Sequence, residues 1–395
     1  MKPHMLKCGM VGAFLLALAA GACASGSQGG EEPQGPGPSG PYAGGPGARR
    51  GMPQRPGLLP AMLPEPPAFP DTSLFGTAVL IAVRAPDTSV WLGTYGKGIY
   101  AARPRAKSWE QIASKSGDST SISWDFVNAF GFTRRAVWYG TVGNGFGRSL
   151  DGGKTWQNWG MRQLGPEWQY VAPDGIRARG DTIYIATADG LRITSDDGRT
   201  WRCIRGAAPA AAPAAATRDG CTESVASLPT EYLLALDVAP DGAIWVGHLK
   251  GAAVSRDRGQ TWSAAPGVPA ARVRAIRVAS DSSIWIATES SYYRSTNLRG
   301  TEFRGAAVSV GGYGTPPGAP RAFINYPLRR APAIASSRGL LVPEPDSSYH
   351  IYTGSGELFH PAADLWTGIW GPGRLLPTTG SDVGFAPLLP ISSRA

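Results

Sequence analysis

The sequence predicts an all-β fold, a β-propeller of four-stranded blades, on three observations. An octet recurs: "SLDGGKTW" (149–156), "TSDDGRTW" (194–201) and "SRDRGQTW" (255–262) share the pattern S/T-x-D-x-G-x-T-W. A strand-like pentad precedes each octet, "VWYGT" (137–141), "IYIAT" (183–187) and "IWVGH" (244–248), and its aromatic residue lies 18, 17 and 17 positions before the closing tryptophan. Between Gly/Asp turns, apolar and polar residues alternate with β-branched and aromatic side chains, and helical periodicity is nearly absent. Units of about 40–60 residues repeated five or more times, each too small to bury its own face, stack into a propeller.

The elements follow in order. "VWLGT" (90–94) leads to "KSW" (107–109), with Trp91 and Trp109 18 apart. "IWIAT" (284–288) leads to "STNLRGTEF" (295–303), with Trp285 and Phe303 18 apart. A faint sixth copy runs through "GLLVPEPDSSYHIYTGSGELF" (339–359), placing Gly356 at the box glycine and Phe359 at the tryptophan. Residues 363–395 with strands from 70–80 complete a seventh blade, six blades being the alternative. Within 234–267, "LALDVAP", "AIWVGHL", "AAVSRD" and "TWSAA" are the four strands, A to D, and the octet is the C–D hairpin.

The octet resembles the Asp-box, or bacterial neuraminidase repeat, of sialidases, xyloglucanases, sortilin-type receptors and the photosystem II assembly factor. "VWLGTYGKGIY" (90–100) is similar to the propeller repeat of periplasmic sensor domains. The resemblance spans roughly residues 75–360 and implies the fold; these families share no single activity. Physical chemistry assigns the box a structural role. A short carboxylate at Asp151, Asp196 or Asp257 accepts the turn's own N–H groups, and Trp156, Trp201 and Trp262 bury their rings between strands.

C–D hairpins lie on one face of a propeller, and B–C turns and D–A loops on the other. In the families resembled, ligands meet the B–C face. The candidates are therefore Lys97, Asn144, Asp189, Lys250 and Glu289 in the B–C turns, and His248, which replaces the threonine found at 94, 141, 187 and 288. Arg272 and Arg274, two apart and so on one side of a strand, could hold a carboxylate or phosphate, or could pair with local acids. Asp125 opens the second A strand. Two long D–A loops, about 203–230 and 304–331, complete the face, the second carrying Tyr313, Tyr326, Arg329 and Arg330.

The first 22 residues, with Lys2, Lys7 and an apolar run from Met10 to Ala20, read as an export signal. Cys23 stands where bacterial lipoprotein precursors carry the lipidated cysteine; cleavage at Ala20-x-Ala22 is the alternative. Residues 23–70, rich in Gly and Pro, read as a disordered tether ahead of a propeller over 71–395. Cys203 and Cys221 are expected to form a disulfide in an oxidising compartment, two buried thiols being the alternative. The expected location is the bacterial cell envelope, lipid-anchored at the outer membrane or on the periplasmic side, surface exposure or secretion included. The net charge of +9 falls to +7 without the two signal lysines, which suits an anionic partner. No nucleic-acid motif, metal-ligand spacing or phosphate loop is present, so neither metal nor cofactor is expected.

The function expected is a monomeric binding, sensor or assembly module for a protein or glycan. The alternative is a glycoside hydrolase. A sialidase needs three arginines and a Tyr/Glu pair; "VRAP" (83–86) offers Arg84 only at the end of an A strand, away from the B–C face. A xyloglucanase needs two carboxylates flanking a sugar bond, for which Asp125 and Glu231 are the conceivable members.

Overall fold

The computed structural model describes residues 79–160, 169–206 and 220–279 continuously, with Leu164 and shorter stretches between 282 and 377. The chain divides into two units, Met1–Leu58 and Leu59–Ala395, and every described residue belongs to the second. The signal segment, Cys23, the Gly/Pro-rich stretch, Tyr313, Tyr326, Arg329 and Arg330 lie outside the described residues.

The chain is all-β, and its described strands form seven sheets. The first contains β1 (Val79–Arg84), β2 (Val90–Thr94), β3 (Ile99–Ala102) and β4 (Glu110–Ile112); the second contains β5 (Val127–Phe132), β6 (Val137–Thr141), β7 (Phe146–Ser149) and β8 (Gln157–Trp159). The third contains β9 (Val171–Arg179), β10 (Thr182–Thr187), β11 (Gly190–Thr194), β12 (Arg202–Gly206) and β13 (Glu223–Leu228). The fourth contains β14 (Leu233–Val238), β15 (Ile244–His248), β16 (Gly251–Ser255) and β17 (Ser263–Ala264); the fifth, β18 (Val273–Val278), β19 (Ile284–Thr288), β20 (Tyr292–Ser295) and β21 (Phe303–Gly305). The sixth contains β22 (Pro320–Ile324), β23 (Ala333–Ser336), β24 (Gly339–Pro343) and β25 (Tyr349–Tyr352); the seventh, β26 (Leu358–Phe359), β27 (Gly368–Gly371) and β28 (Arg374–Pro377). Neighbours are antiparallel throughout, except that β13 adds to β12 in parallel. The first strands of the first six sheets lie side by side in chain order, as blades around an axis require.

The sixth blade corrects the sequence reading. Phe359 lies in β26 of the seventh sheet, so it does not close the sixth box. The true pentad equivalent is β23: Ser336 faces Pro320 as Thr288 faces Val273, and Tyr349 faces Pro343 as Phe303 faces Ser295. Ala333 occupies the pentad's tryptophan position there, so no aromatic ring marks the strand in the sequence.

Packing between blades repeats with the same fidelity. Trp91, Trp138, Trp245 and Trp285 of the second strands are buried. The box glycine of the following blade lies against the first three of these rings. A Cβ on Gly153 would stand 3.0 Å from Trp91, one on Gly198 3.2 Å from Trp138, and one on Gly300 2.2 Å from Trp245. Only a residue without a side chain fits so close to an indole, and the positive φ of Gly153 (99°) adds a second reason for glycine.

An arginine clasp reinforces the first four junctions. Arg103, Arg148, Arg202 and Arg256 donate respectively to the carbonyls of Gly152, Asp197, Arg258 and Arg299, always the residue before the next blade's box glycine. Three of these arginines also lie over tryptophan rings: Arg103 over Trp91, Arg148 over Trp159 and Arg256 over Trp245. Four of the chain's arginines are thus used in joining blades.

Candidate functional site

The box hairpins resolve into closed hydrogen-bond sets. Asp151 accepts from the Ser149 hydroxyl (2.7 Å), from the amides of Lys154 (3.0 Å) and Thr155 (2.9 Å), and from the Thr155 hydroxyl (2.6 Å). Asp196 and Asp257 repeat the arrangement with Thr194 and Thr200, and with Ser255 and Thr261. Partial burial pushes the Asp151 carboxyl up, but bonds from Thr155, Ser149 and Lys154 outweigh it and hold the group below the usual carboxylate range. Bonds from Thr261 and Ser255 do the same for Asp257. Trp156 and Trp201 are buried, and Trp262 is half-buried. These aspartates are anionic acceptors held by their own turns.

The opposite end is built from the turns between second and third strands and the segments entering each first strand. Each turn is capped from inside. The hydroxyls of Thr94, Thr141 and Thr187 donate to the carbonyls of Gly98 (2.7 Å), Gly145 (2.8 Å) and Gly190 (2.8 Å). They also accept from the amides of Lys97, Asn144 and Asp189. In the fourth blade His248 takes this place, its Nδ1 accepting from the Lys250 amide at 3.2 Å. Burial, then the Lys250 charge, lowers the His248 pKa, so the neutral imidazole acts as an extended threonine. Each turn also grips the next blade: Gly98, Gly145 and Gly190 donate to the carbonyls of Asp125, Gln169 and Glu231.

Asp125 holds two elements at once. Its carboxylate accepts from the Ser114 amide (2.7 Å) and hydroxyl (2.9 Å), and its carbonyl accepts from both Gly96 and Gly98 (3.0 Å each). Arg272 and Arg274 converge on Glu289 of their own blade's turn, at 3.8 and 3.4 Å. The first-strand register slips between Val273 and Ala275, making Arg274 the extra residue of a β-bulge. The same slip occurs at this end of β1, β5, β14 and β22. Lys250 is exposed. The structure thus brings Arg272 and Arg274 together, and sets His248 beside Lys250. Asp125 sits at the first–second blade junction, away from both pairs in the blade order.

Aromatic residues that sequence reasoning passed over are prominent on this end. Tyr95, 60% exposed, stands edge-on to Phe126 at 4.5 Å, and Phe126 lies 4.4 Å from Trp124. Tyr170 stacks on Tyr232 at 5.6 Å. Phe126, Tyr170, Tyr232 and Arg272 each immediately precede a first strand, so one repeat position supplies them all. Leu249, in the turn beside His248, is 51% exposed. The signal lay in that shared position, which only the strand register reveals.

Near the other end of the axis, Arg177, Asp237 and Arg277 occupy one register level of β9, β14 and β18, opposite Tyr184, Trp245 and Trp285. Asp174 bonds Arg177 (2.7 Å) and Arg277 (2.8 Å), and Arg177 reaches Asp237 at 3.2 Å. Burial pushes Asp174 up, but the two guanidiniums pull it below its ordinary value. Arg84, at the end of β1, is buried and donates to the Thr88 carbonyl at 3.0 Å. Among the described residues no group of three or more His, Cys, Asp or Glu side chains is placed to hold a metal ion.

No protein-family model and no curated protein sequence matches the chain. Solved structures do. PorZ, a surface component of the type-IX secretion system of Porphyromonas gingivalis, is similar at 14% identity over 76% of this chain and 46% of its own, with a TM-score of 0.52. The extracellular domain of a hybrid two-component system from B. thetaiotaomicron is similar at 15% identity over 65% of this chain, with a TM-score of 0.48, and the match spans about a third (32%) of that domain. A GH74 xyloglucanase from Xanthomonas campestris is similar at 16% identity over 77% of this chain and 47% of its own, with a TM-score of 0.48. The seven-sheet strand pairing gives the propeller fold, and the likeness to PorZ, above a TM-score of 0.5, agrees with it in fold alone.

Proposed function

We propose that this protein is an Asp-box propeller of the bacterial cell envelope that binds a protein or glycan through the end opposite its boxes. In this reading Cys23 carries the lipid, and the Gly/Pro-rich stretch holds the propeller off the membrane. One observation carries the assignment. The box-end aspartates are consumed by their own turns, whereas the opposite end presents Tyr95 and Leu249 on rigid turns, with Trp124 and Phe126 beside the former. Exposed aromatic side chains on a fixed scaffold give large contact area at low entropic cost. Lys250 and the Arg272–Arg274 pair add positive charge, suited to an anionic partner.

Hydrolysis is the weaker reading. Of the carboxylates in the turns and entry segments of this end, Asp125 is tied to Ser114, Glu289 is shared by two arginines, and Asp189 pairs with Arg192 and Arg205. A hydrolase would instead keep a carboxyl group free to shuttle a proton. The test is a panel of soluble envelope glycans and xyloglucan oligosaccharides, assayed for binding by calorimetry and for release of reducing ends. Binding or no interaction, without turnover, is expected. Turnover abolished by Asp125→Asn would overturn the reading in favour of a hydrolase.

A further inference from the structure

The third blade departs from its neighbours in one chemical respect. Its disulfide, Cys203–Cys221, joins the fourth strand to a residue two positions before the added parallel strand. Arginine surrounds it. Arg192 Nη1 lies 3.3 Å from each sulfur, and Arg205 Nη2 lies 3.6 Å from Cys221 Sγ. Arg192 is 2% exposed, and both guanidiniums also meet Asp189 Oδ2, at 2.9 and 3.4 Å.

A neutral disulfide gains little from a neighbouring cation. A thiolate gains a charge-assisted hydrogen bond, stronger still in a buried setting. The arginines therefore favour the reduced state over the oxidised one and ease departure of a thiolate. We propose that Cys203–Cys221 is a thiol–disulfide exchange site for a dithiol reductant, and that opening it releases β13 from the fourth blade.

Access sets the order of events. Cys203 is 1% exposed and Cys221 is half-buried, so the reductant's thiolate attacks Cys221 Sγ. The S–S bond breaks, and its electron pair leaves on Cys203 Sγ beside Arg192. The reductant's second thiol, after losing its proton, attacks the mixed disulfide and expels Cys221 as a thiolate. Two electrons pass to the protein as the dithiol becomes a disulfide, and the two protons it loses are available to the cysteines.

The strand so released has a partner in the next blade. Ser227 of β13 donates to the Gly259 carbonyl (2.6 Å) and accepts from Trp262 Nε1 (3.2 Å), both in the fourth blade's box. Opening the disulfide unfastens the leading end of β13 and loosens this contact.

The full chain is equilibrated in graded dithiothreitol buffers, and the reduced fraction is read by alkylation and mass spectrometry. The equilibrium constant for reduction is expected to fall about tenfold in Arg192→Gln, equivalent to about 30 mV, and by a smaller factor in Arg205→Gln. Arg205 is at the edge of the cluster, so its variant carries the test if Arg192→Gln fails to fold. On reduction, amides of 223–228 are expected to lose hydrogen-exchange protection while those of β14 and β15 keep theirs. The proposal is overturned if the folded variants are reduced as readily as the parent chain. It is equally overturned if 223–228 stay protected after reduction, or if the whole propeller unfolds with them.

Discussion

At the box end, Asp151, Asp196 and Asp257 direct their oxygens into the turns that carry them, and Arg177, Asp237 and Arg277 close an ionic cluster along the axis. At the other end, threonine hydroxyls and one histidine hold the turns from inside, and aromatic and aliphatic side chains are left facing water. The repeat is the same at both ends; its polar groups are used differently. Where a motif recurs with its carboxylate bound by its own turn each time, it serves the fold. Where the same repeat position carries Phe126, Tyr170, Tyr232 and then Arg272, the scaffold tolerates variation, and recognition can evolve there.

The largest effect should come from the box-end axis. Asp237→Ala leaves Arg177 and Arg277 short of a buried counter-charge, and is expected to cost about 3–5 kcal/mol in chemical denaturation. A loss under 1 kcal/mol would show that the cluster is not a stability element. Next, Gly153→Ala forces a Cβ to 3.0 Å from Trp91 at a φ of +99°, and is expected to cost about 1–3 kcal/mol. An unchanged melting midpoint would contradict the blade-to-blade contact.

His248→Thr sharpens the comparison at the other end. Threonine restores the cap used by four other blades, so stability at neutral pH should change by less than about 1 kcal/mol. The pH dependence carries more information. The folded-state pKa of His248 is depressed, so the unfolded chain binds the proton more readily and the stability linked to neutral His248 is lost as pH falls below about 6.5. Protonation also removes the Nδ1 acceptor for the Lys250 amide. The parent chain is therefore expected to weaken relative to His248→Thr between pH 7 and pH 5. Parallel pH profiles would contradict the cap. The smallest stability effects, within about 0.5 kcal/mol, are expected for Tyr95→Ala and Leu249→Ala, since both side chains are largely exposed.

The repeat was readable because each box position has a demanding job. Only a short carboxylate reaches the turn amides, only glycine fits against the preceding tryptophan, and only a large ring fills the junction. Where the ring is missing, at Ala333, the spacing rule failed and the sixth blade was set out of register. The bulges left no trace, because the residues at those slips, such as Leu80, Asn128, Leu234 and Arg274, share no chemistry. Arg177, Asp237 and Arg277 lie at equivalent points of consecutive blades, but one sequence does not reveal which repeats share an axis until the register is known. The pairing of Cys203 with Cys221 was legible from parity and an expected oxidising compartment; the arginines around it were not, since Arg192 and Arg205 reach the sulfurs only once β11 and β12 are paired.

The central claim is that recognition belongs to the end opposite the boxes, and Leu150 provides the control. It is 54% exposed within a box hairpin, comparable with Leu249 at 51% and Tyr95 at 60%. A photo-crosslinking amino acid placed in turn at Tyr95, Leu249 and Leu150 of the full chain, irradiated in the native cell envelope, compares the two ends directly. The account predicts a discrete adduct from Tyr95 or Leu249 and none from Leu150; a discrete adduct from Leu150 alone would contradict it.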